Sequence, residues 1–563
     1  MPQALRRFIW VFVFGWLLPW AAQAAQYQGG ELTYEALGNN VYRVKLRLFR
    51  DCGGPPFNPT ETLSCRVGAN QAACTSTDAR NFTAQLSPVG TPTSGAPYCP
   101  LYPLPNVNQC SPNAPVNYEQ AYYQADVTLP PAPEWTLSFE ACCRPAQSGL
   151  LGADSQPLRL QATINNLLTL AGGAQQIIQN TSSQYQPQDP AVSFACLNQR
   201  YSLTFSTFEP DGDSVVYSLD TPQYGCNQPA PYQTFAPGGV LTLPNEPNGQ
   251  PCQATLPTNA PTAYSAEFPL PSFTLSGNCP GRTATPNFVF NKQLGSFSFT
   301  PVLYYPLSVP ANRTRNQYSV TGKVTEYRLI RGQYYQVGTI YRNMLVTVID
   351  CLPLINQNPV FSPLVRVAGL SQPQPFSDTL RIAPGQSASV TVNVTDPDPG
   401  QTVTVAARSA RAVPAGAFQA VSVLPGEVTL TFSPPLGLAD GYYPIILEAN
   451  DNGCPSRSSS QAVFFFRVSS SPLSAAAGAQ PLLTTASPNP FSSAVTFRIS
   501  GPLPTGSALE ITNVLGQRVE RLPLRTGGAE ASATWRPAPT VPAGLYLVRL
   551  PATGQVLRVQ RQQ

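Results

Sequence analysis

The sequence predicts an all-β protein, built as tandem β-sandwich modules with a small C-terminal β-sandwich. Three observations carry that expectation. The 563 residues include 62 Pro and 40 Gly spread along the whole length, which leaves few stretches where an α-helix of three turns could run. Apolar and polar residues alternate at period two in one segment after another, as half-buried strands require. Only 11% of residues are charged while 42% are hydrophobic, so the chain suits neither a charged coiled coil nor an acidic disordered polymer. At this length it can bury several separate cores.

Residues 1–24 read as a signal peptide. Arg6 and Arg7 give the positive start, Phe8 to Leu18 is an apolar run of 11 residues, and Ala22-Gln23-Ala24 is an A-x-A cleavage site. The run is shorter than the ~20 apolar residues that span a bilayer. All 13 cysteines lie beyond it, none in a CxxC pair, so in an oxidising compartment a disulfide framework is expected in place of a zinc ribbon or thioredoxin-type site. Because 13 is odd, at least one thiol stays free or pairs between chains. Cys454, far from any other cysteine, is the expected odd one, and Cys196 and Cys351, at the first and last strands of one module, are disulfide candidates.

The first module spans 25–187. Val44, Leu46 and Leu48 face one way and Arg43, Lys45 and Arg47 the other; Tyr123 to Leu129 and Trp135 to Phe139 repeat the alternation. Between them, Asp51 to Asn117 is rich in Cys and Pro and has little periodicity, so cross-links are expected to hold it more than a core. Residues 188–352 and 353–469 read as diverged copies of one module. Ser202 to Asp211 (SLTFSTFEPD) aligns with Ser389 to Asp398 (SVTVNVTDPD), and Phe297 to Pro301 (FSFTP) with Leu430 to Pro434 (LTFSP). The earlier copy carries an insertion holding Cys226, Cys252 and Cys279. Seven or so short strands separated by turn signals, closing on long apolar strands, argue for an immunoglobulin-like or cadherin-like sandwich.

Two acidic turns end equivalent strands. Glu209, Asp211 and Asp213, and separately Asp396 and Asp398, set oxygen ligands at alternate positions, which makes them calcium candidates. The competing reading is that Asp, Pro and Gly are what a strand-ending turn uses. No other cofactor is indicated. Net charge is +4 with only three Lys, and no basic stripe is present to displace phosphate counterions, so nucleic acid is not an expected partner. The chain has no His, which removes Ser-His-Asp and Cys-His nucleophiles and His-ligated zinc. Common catalytic and nucleotide-binding motifs are missing too, so no catalytic residues are assigned and the protein is not expected to be an enzyme. A carboxylate-pair hydrolase is the one enzyme class left open.

A low-pattern, uncharged linker at 470–486 leads to a compact module at 487–563. Its residues carry a family signature: Ser487-Pro488-Asn489-Pro490-Phe491, then Ile511 to Val519 (ITNVLGQRV), then Pro542 to Leu550 (PAGLYLVRL). The segment resembles the type A C-terminal sorting domain of the type IX secretion system of Bacteroidota. Pro488, Asn489, Pro490, Phe491, Gly516, Gly544 and Tyr546 are its motif positions, and the two glycines stand where tight turns call for positive φ. Such domains form small β-sandwiches, direct passage across the outer membrane, and are usually cleaved as the cargo is attached to surface lipopolysaccharide or released. Arg558 and Arg561 stand for the family's basic tail.

The upstream chain resembles, less specifically, large uncharacterised surface proteins of the same bacteria with immunoglobulin-like or PKD-like modules. The carrying residues are Gly29 to Tyr34 (GGELTY), Tyr42 to Cys52, Ala141 to Arg144, Pro210 to Leu219, Glu326-Tyr327-Arg328 and Val346 to Cys351. The resemblance implies a secreted structural or adhesion protein at the outer surface, with the type IX machinery, lipopolysaccharide and an unnamed glycan or protein as partners. The alternative is a secreted carbohydrate-binding or carboxylate-dependent carbohydrate-active protein. Only Trp135 and Trp535 lie beyond the signal, but 24 Tyr are available as sugar platforms. Mass spectrometry of the exported protein is expected to find the amino terminus at Ala25 or one residue later; retention of Met1 would end the secretory reading.

Overall fold

The computed structural model describes residues 27–52, 54–95, 118–185, 192–244, 252–309, 312–351, 356–453, 457–470, 482–500, 503, 506–513, 517–527, 530–551 and 555–562. The expected signal peptide, most of the expected linker, Cys454 and Gly516 lie outside them; the end of that linker, 482–486, instead belongs to the strand Leu482–Ser487, which pairs with Val495–Ser500, so the terminal module starts before 487. The described chain is all-β, and it divides into two compact units: residues 377–379 with 469–563, and the remainder.

In the larger unit, eight antiparallel strands close into a ring. Tyr27–Gly38 pairs with Val41–Asp51, which pairs with Tyr118–Thr128, and the pairing continues through Phe82–Gly95, Glu61–Val67, Trp135–Ala141, Leu158–Ile164 and Gln333–Ile349. Gln333–Ile349 then pairs back onto Tyr27–Gly38 at Gly30↔Asn343 and Glu31↔Arg342. A sheet closed in this way leaves no edge within the ring. Strands Gln317–Ile330, Ser214–Asp220 and Val192–Cys196 extend it, the last in parallel register with Gln333–Ile349. The Cys196–Cys351 disulfide, with Cα atoms 5.5 Å apart, ties the ends of this parallel pair.

This architecture corrects two expectations. Strands on both sides of the 187/188 boundary share one sheet and one apolar core running from Tyr27 to Cys351, so residues 27–351 fold around a common centre in place of two separate modules. Second, the Cys/Pro-rich stretch supplies two ring strands, Glu61–Val67 and Phe82–Gly95. Leu63 and Cys65 are fully buried there, and Cys65 is a free thiol. Burial pushes that thiol up to about 12, so it behaves as a small apolar side chain. The cross-link Cys74–Cys226 fastens the short helix Asn70–Cys74 to the insertion.

The repeat read from the sequence has a structural counterpart in register. Tyr201–Thr204 pairs with Ser296–Phe299 with Ser202 opposite Ser298, and Ala388–Thr395 pairs with Glu427–Phe432 with Ser389 opposite Thr431. These are the positions the alignment equates. The insertion forms a lobe of four short strands, Val240–Leu243, Cys252–Thr255, Gly281–Pro286 and Phe273–Ser276, with its own core and the Cys252–Cys279 bridge. Residues 360–468 form a two-sheet sandwich in which Val390, Val392, Leu430 and Phe432 meet Ile445, Leu447, Phe464 and Phe466.

The ring closes on buried charge. Glu31 lies opposite Arg47 on one side and Arg342 on the other, with carboxylate–guanidinium separations of 3.4 and 2.9 Å. Arg342 is fully buried and its guanidinium lies 4.8 Å from the Tyr185 ring. Removing one member of a buried ion pair leaves the other charge desolvated, which typically costs about 3–5 kcal/mol. Arg342→Met is expected to lower the unfolding free energy by about that amount in urea titration; a change within experimental error would show that closure does not depend on this pair.

Candidate functional site

The acidic turn after strand Thr207–Phe208 reverses at Gly212, whose φ of +80° is a left-handed value that glycine adopts without strain. Glu209 is only 1% exposed. Its two carboxylate oxygens accept the backbone N–H groups of Asp211 and Asp213 at 3.1 and 2.7 Å. One oxygen from each of the three acidic residues lies within 4.8 Å of the others. The structure also brings Arg328 onto the turn. Its Nε and Nη2 donate to the two Asp213 oxygens, each at 2.8 Å, and Nη2 donates to Asp211 at 2.9 Å. A planar guanidinium meeting a carboxylate in this forked way supplies much of the counter-charge that a bound cation would otherwise bring.

Behind the turn runs a buried polar chain. Arg328 also donates to the Asn180 side-chain oxygen at 2.9 Å. The Asn180 amide donates to Glu326 at 2.7 Å and to the Tyr34 hydroxyl at 3.1 Å, and that hydroxyl donates to the Thr163 carbonyl. Glu326 accepts the Ser183 N–H as well. The pairing Ser214↔Tyr327 and Val215↔Glu326 sets this arrangement, because it carries Arg328 alongside Asp213. Sequence reasoning assigned no site role to Arg328, Glu326 or Asn180. The available signal was the Glu326/Arg328 spacing, which puts two charges on one face of a long apolar strand.

Burial is the main cause that pushes the Glu209 carboxyl up to about 8, with the Asp213 and Glu326 charges adding to it and the two N–H donors opposing. Glu326 is pushed up to about 7, again mainly by burial. This cluster can therefore take up protons near neutrality. The turn is also bonded to the next repeat: the Ala412 N–H donates to the Glu209 carbonyl at 3.0 Å, and Arg408 donates to Ser206 at 2.7 Å.

The second acidic turn is built differently. Asp396 accepts the Asp398 N–H at 2.8 Å, and Asp398 holds the backbone and side chain of Gln357 at 2.6 and 2.9 Å. Asp451 accepts the N–H groups of Gly453 and Ser458 and the Asn356 amide, and Asn356 in turn accepts from Gln401. Three acceptor oxygens here, Asp396 Oδ2, Asn358 Oδ1 and Gln401 Oε1, are buried without a hydrogen-bond donor. Carboxylate and amide oxygens of this kind are the donor set a hard cation takes. Burial first, then the neighbouring Asp398 charge, raises the Asp396 carboxyl.

In the smaller unit, two four-stranded sheets enclose Phe491, Phe497, Ile511, Trp535, Tyr546 and Val548. Of the motif residues, Phe491 and Tyr546 lie in this core, while Pro488, Asn489 and Pro490 are exposed. Phe491 packs on Trp535 with ring centroids 5.4 Å apart, and Trp535 on Tyr546 at 5.0 Å. The Asn489 amide group, between Pro488 and Pro490, donates to the Arg558 carbonyl and accepts the Gln560 N–H, each at 2.9 Å. Gly544 opens the strand Gly544–Leu550 with φ +156° and open space where a Cβ would point.

No family model matches the chain, and no curated protein matches it. Among solved structures, the three-domain titin fragment I67–I69 aligns at 8% identity over 66% of this chain and 94% of its own, with a TM-score of 0.15. The titin I9–I11 tandem aligns at 9% over the same shares with a TM-score of 0.13. Titin domains Z1Z2, solved with telethonin, align at 12% over 37% of this chain and 96% of theirs, with a TM-score of 0.14. At TM-scores this low, the fold stands on the chain's own sheet topology.

A carboxyl whose folded pKa is raised adds stability below its unfolded pKa and loses it as pH rises through the folded value. For Glu209 and Glu326 the ordinary value is 4.5 and the folded values are about 8 and 7. The folded state thus holds more protons across that window, and the urea midpoint is expected to fall as pH rises from about 5 to about 8.5. Glu209→Gln and Glu326→Gln should each flatten the slope. A midpoint rising with pH over this window, or unchanged slopes in both variants, would show that these carboxyls do not set it.

Proposed function

We propose that the protein is a secreted structural or adhesion protein held at the outer cell surface, exported through the type IX route by its C-terminal module, and that it is not an enzyme. The observation that supports this reading most is the clustering of the motif residues. Pro488 to Phe491 and Tyr546, far apart in sequence, belong to one small sandwich with its own core, distinct from the unit that precedes it. An address read by other machinery has to fold independently of its cargo, and a self-contained core meets that requirement.

The larger unit suits a load-carrying or displaying role. It has a closed ring, cross-links at Cys74–Cys226, Cys196–Cys351 and Cys252–Cys279, and repeats joined through strand-to-strand contacts. Disulfides of this number fit an oxidising compartment. The partners in this reading are the secretion machinery, surface lipopolysaccharide after cleavage of the module, and a glycan or protein ligand bound by loops within residues 27–351. A second reading, a carbohydrate-binding protein on the same export route, is favoured by one feature of the larger unit, a cavity beside the insertion.

Deleting residues 487–563 is expected to leave a folded, oxidised protein in the periplasm of a host with the matching machinery, and fusing them to a reporter with a signal peptide should carry the reporter outside. Fractionation decides the matter: normal surface amounts of the truncated protein would mean that the terminal module is one more structural sandwich.

A further inference from the structure

A cavity of about 330 Å³ opens beside the insertion, between the segment 146–148, the loop 233–235 and the residues Leu303, Tyr305, Thr314 and Arg315. That volume is at the small end of the roughly 300–1,000 Å³ of ligand pockets. Its lining combines rings with hydrogen-bonding groups: Tyr264 and Tyr305, the amide of Gln147, the hydroxyls of Ser148 and Thr234, and the guanidinium of Arg315. Among the described residues, no acidic side chain lines it.

Two features indicate a prepared site. Gln147 is only 7% exposed, and its side-chain oxygen has no hydrogen-bond donor. A buried acceptor left in this state carries a desolvation penalty that a ligand hydroxyl can remove. The second feature is the stack of Arg315 over Tyr305, at 3.6 Å from the ring centroid. Both partners are fixed from below. The fully buried Asn316 donates to the Tyr305 carbonyl and accepts the Tyr305 N–H, each at 2.8 Å, and Ser148 donates to the Arg315 carbonyl at 2.6 Å. Among the described residues Arg315 is in no ion pair; its one side-chain hydrogen bond is a long 3.5 Å contact to Asn312. The guanidinium edge is thus available to a carboxylate.

We propose that this cavity binds a carboxylated saccharide, a uronic-acid unit of a glycan. This deepens the carbohydrate-binding reading and rests on it. In this arrangement the carboxylate meets Arg315 and a ring hydroxyl donates to Gln147 Oε1. A neutral sugar would leave Arg315 without a counter-charge, and a simple anion would leave Gln147 without a donor.

Calorimetric titration of the full mature protein with digalacturonate, with its neutral galactose counterpart and with inorganic phosphate tests this. The acidic disaccharide should bind about ten-fold more tightly than the neutral one, and phosphate should not compete. Arg315→Gln should erase the preference, Arg315→Lys should keep only part of it, and Gln147→Leu should weaken both sugars several-fold. Unchanged circular dichroism and melting would show that the variants fold. No heat with digalacturonate, equal competition by phosphate, or a preference that survives Arg315→Gln overturns the proposal. Surface fractionation of Arg315→Gln keeps the two readings apart, since a failed sugar site with normal export leaves the surface-protein assignment standing.

Discussion

The contact between Glu31 and Arg342 is where the larger unit becomes a closed object. The two residues are about 300 positions apart in sequence and face each other across the last pairing of the ring. Close packing beside it is a backbone requirement as well. A Cβ on Gly30 would lie 2.6 Å from the Arg47 carbonyl oxygen and 2.7 Å from a Leu160 methyl, so glycine lets the first strand lie tightly against Val41–Asp51 and Leu158–Ile164. Once closed, Gln333–Ile349 serves four neighbours: the first strand, Leu158–Ile164, Gln317–Ile330 and Val192–Cys196. The common core and the position of the acidic turn all follow from how that strand is held.

Few charges are present, and many of the buried ones are used in rows. The register reads Tyr122, Arg47, Glu31 and Arg342 across four strands, while the adjacent row reads Tyr123, Leu46 and Leu32. One row is apolar and the other is a ring followed by charges of alternating sign, with Arg47 lying 5.3 Å from the Tyr122 ring. A buried ion pair adds little net stability over an apolar one, since desolvation offsets its attraction. Its effect here is on register: a slip by one residue would place Arg342 against Leu32 and Glu31 against Asn343, separating the pair.

Local pattern made the strands legible, and distance along the chain hid their partners. The alternation at Val44, Leu46 and Leu48 gave the facing of that strand correctly, since all three are fully buried. The equivalence of Ser202 with Ser389 extended to the pairing register, because a repeated strand that keeps its apolar face must keep its partner. Ring closure left no such trace: nothing within either strand marks Gly30 as the neighbour of Asn343. For the same reason the 187/188 boundary was misread, since Pro and Gly punctuation marks a change of strand and says nothing about a change of core. Short strands such as Glu61–Val67 escaped notice within a stretch dominated by Cys and Pro. At the acidic turn the carboxylates were visible in sequence, but their arginine stands more than 100 positions away.

The smaller unit closes by a different device. Its first motif residues reach its last strand. Asn489 brackets the backbone at Arg558 and Gln560, the Phe491 N–H donates to the Gln560 carbonyl, and the Gln562 N–H donates to the Phe491 carbonyl at 2.7 Å. Entry and exit of the chain are thereby fastened to each other by backbone bonds, and the aromatic stack from Phe491 through Trp535 to Tyr546 fills the space behind them. These closing bonds all lie between residues 489 and 562, although the sheet also takes in the strand Leu482–Ser487 before them. The same geometry gives the Pro-Asn-Pro-Phe segment a mechanical reason for its composition. Asn supplies the donor and acceptor that clamp the last strand, Phe supplies the ring beneath it, and the flanking prolines restrict the backbone that presents them.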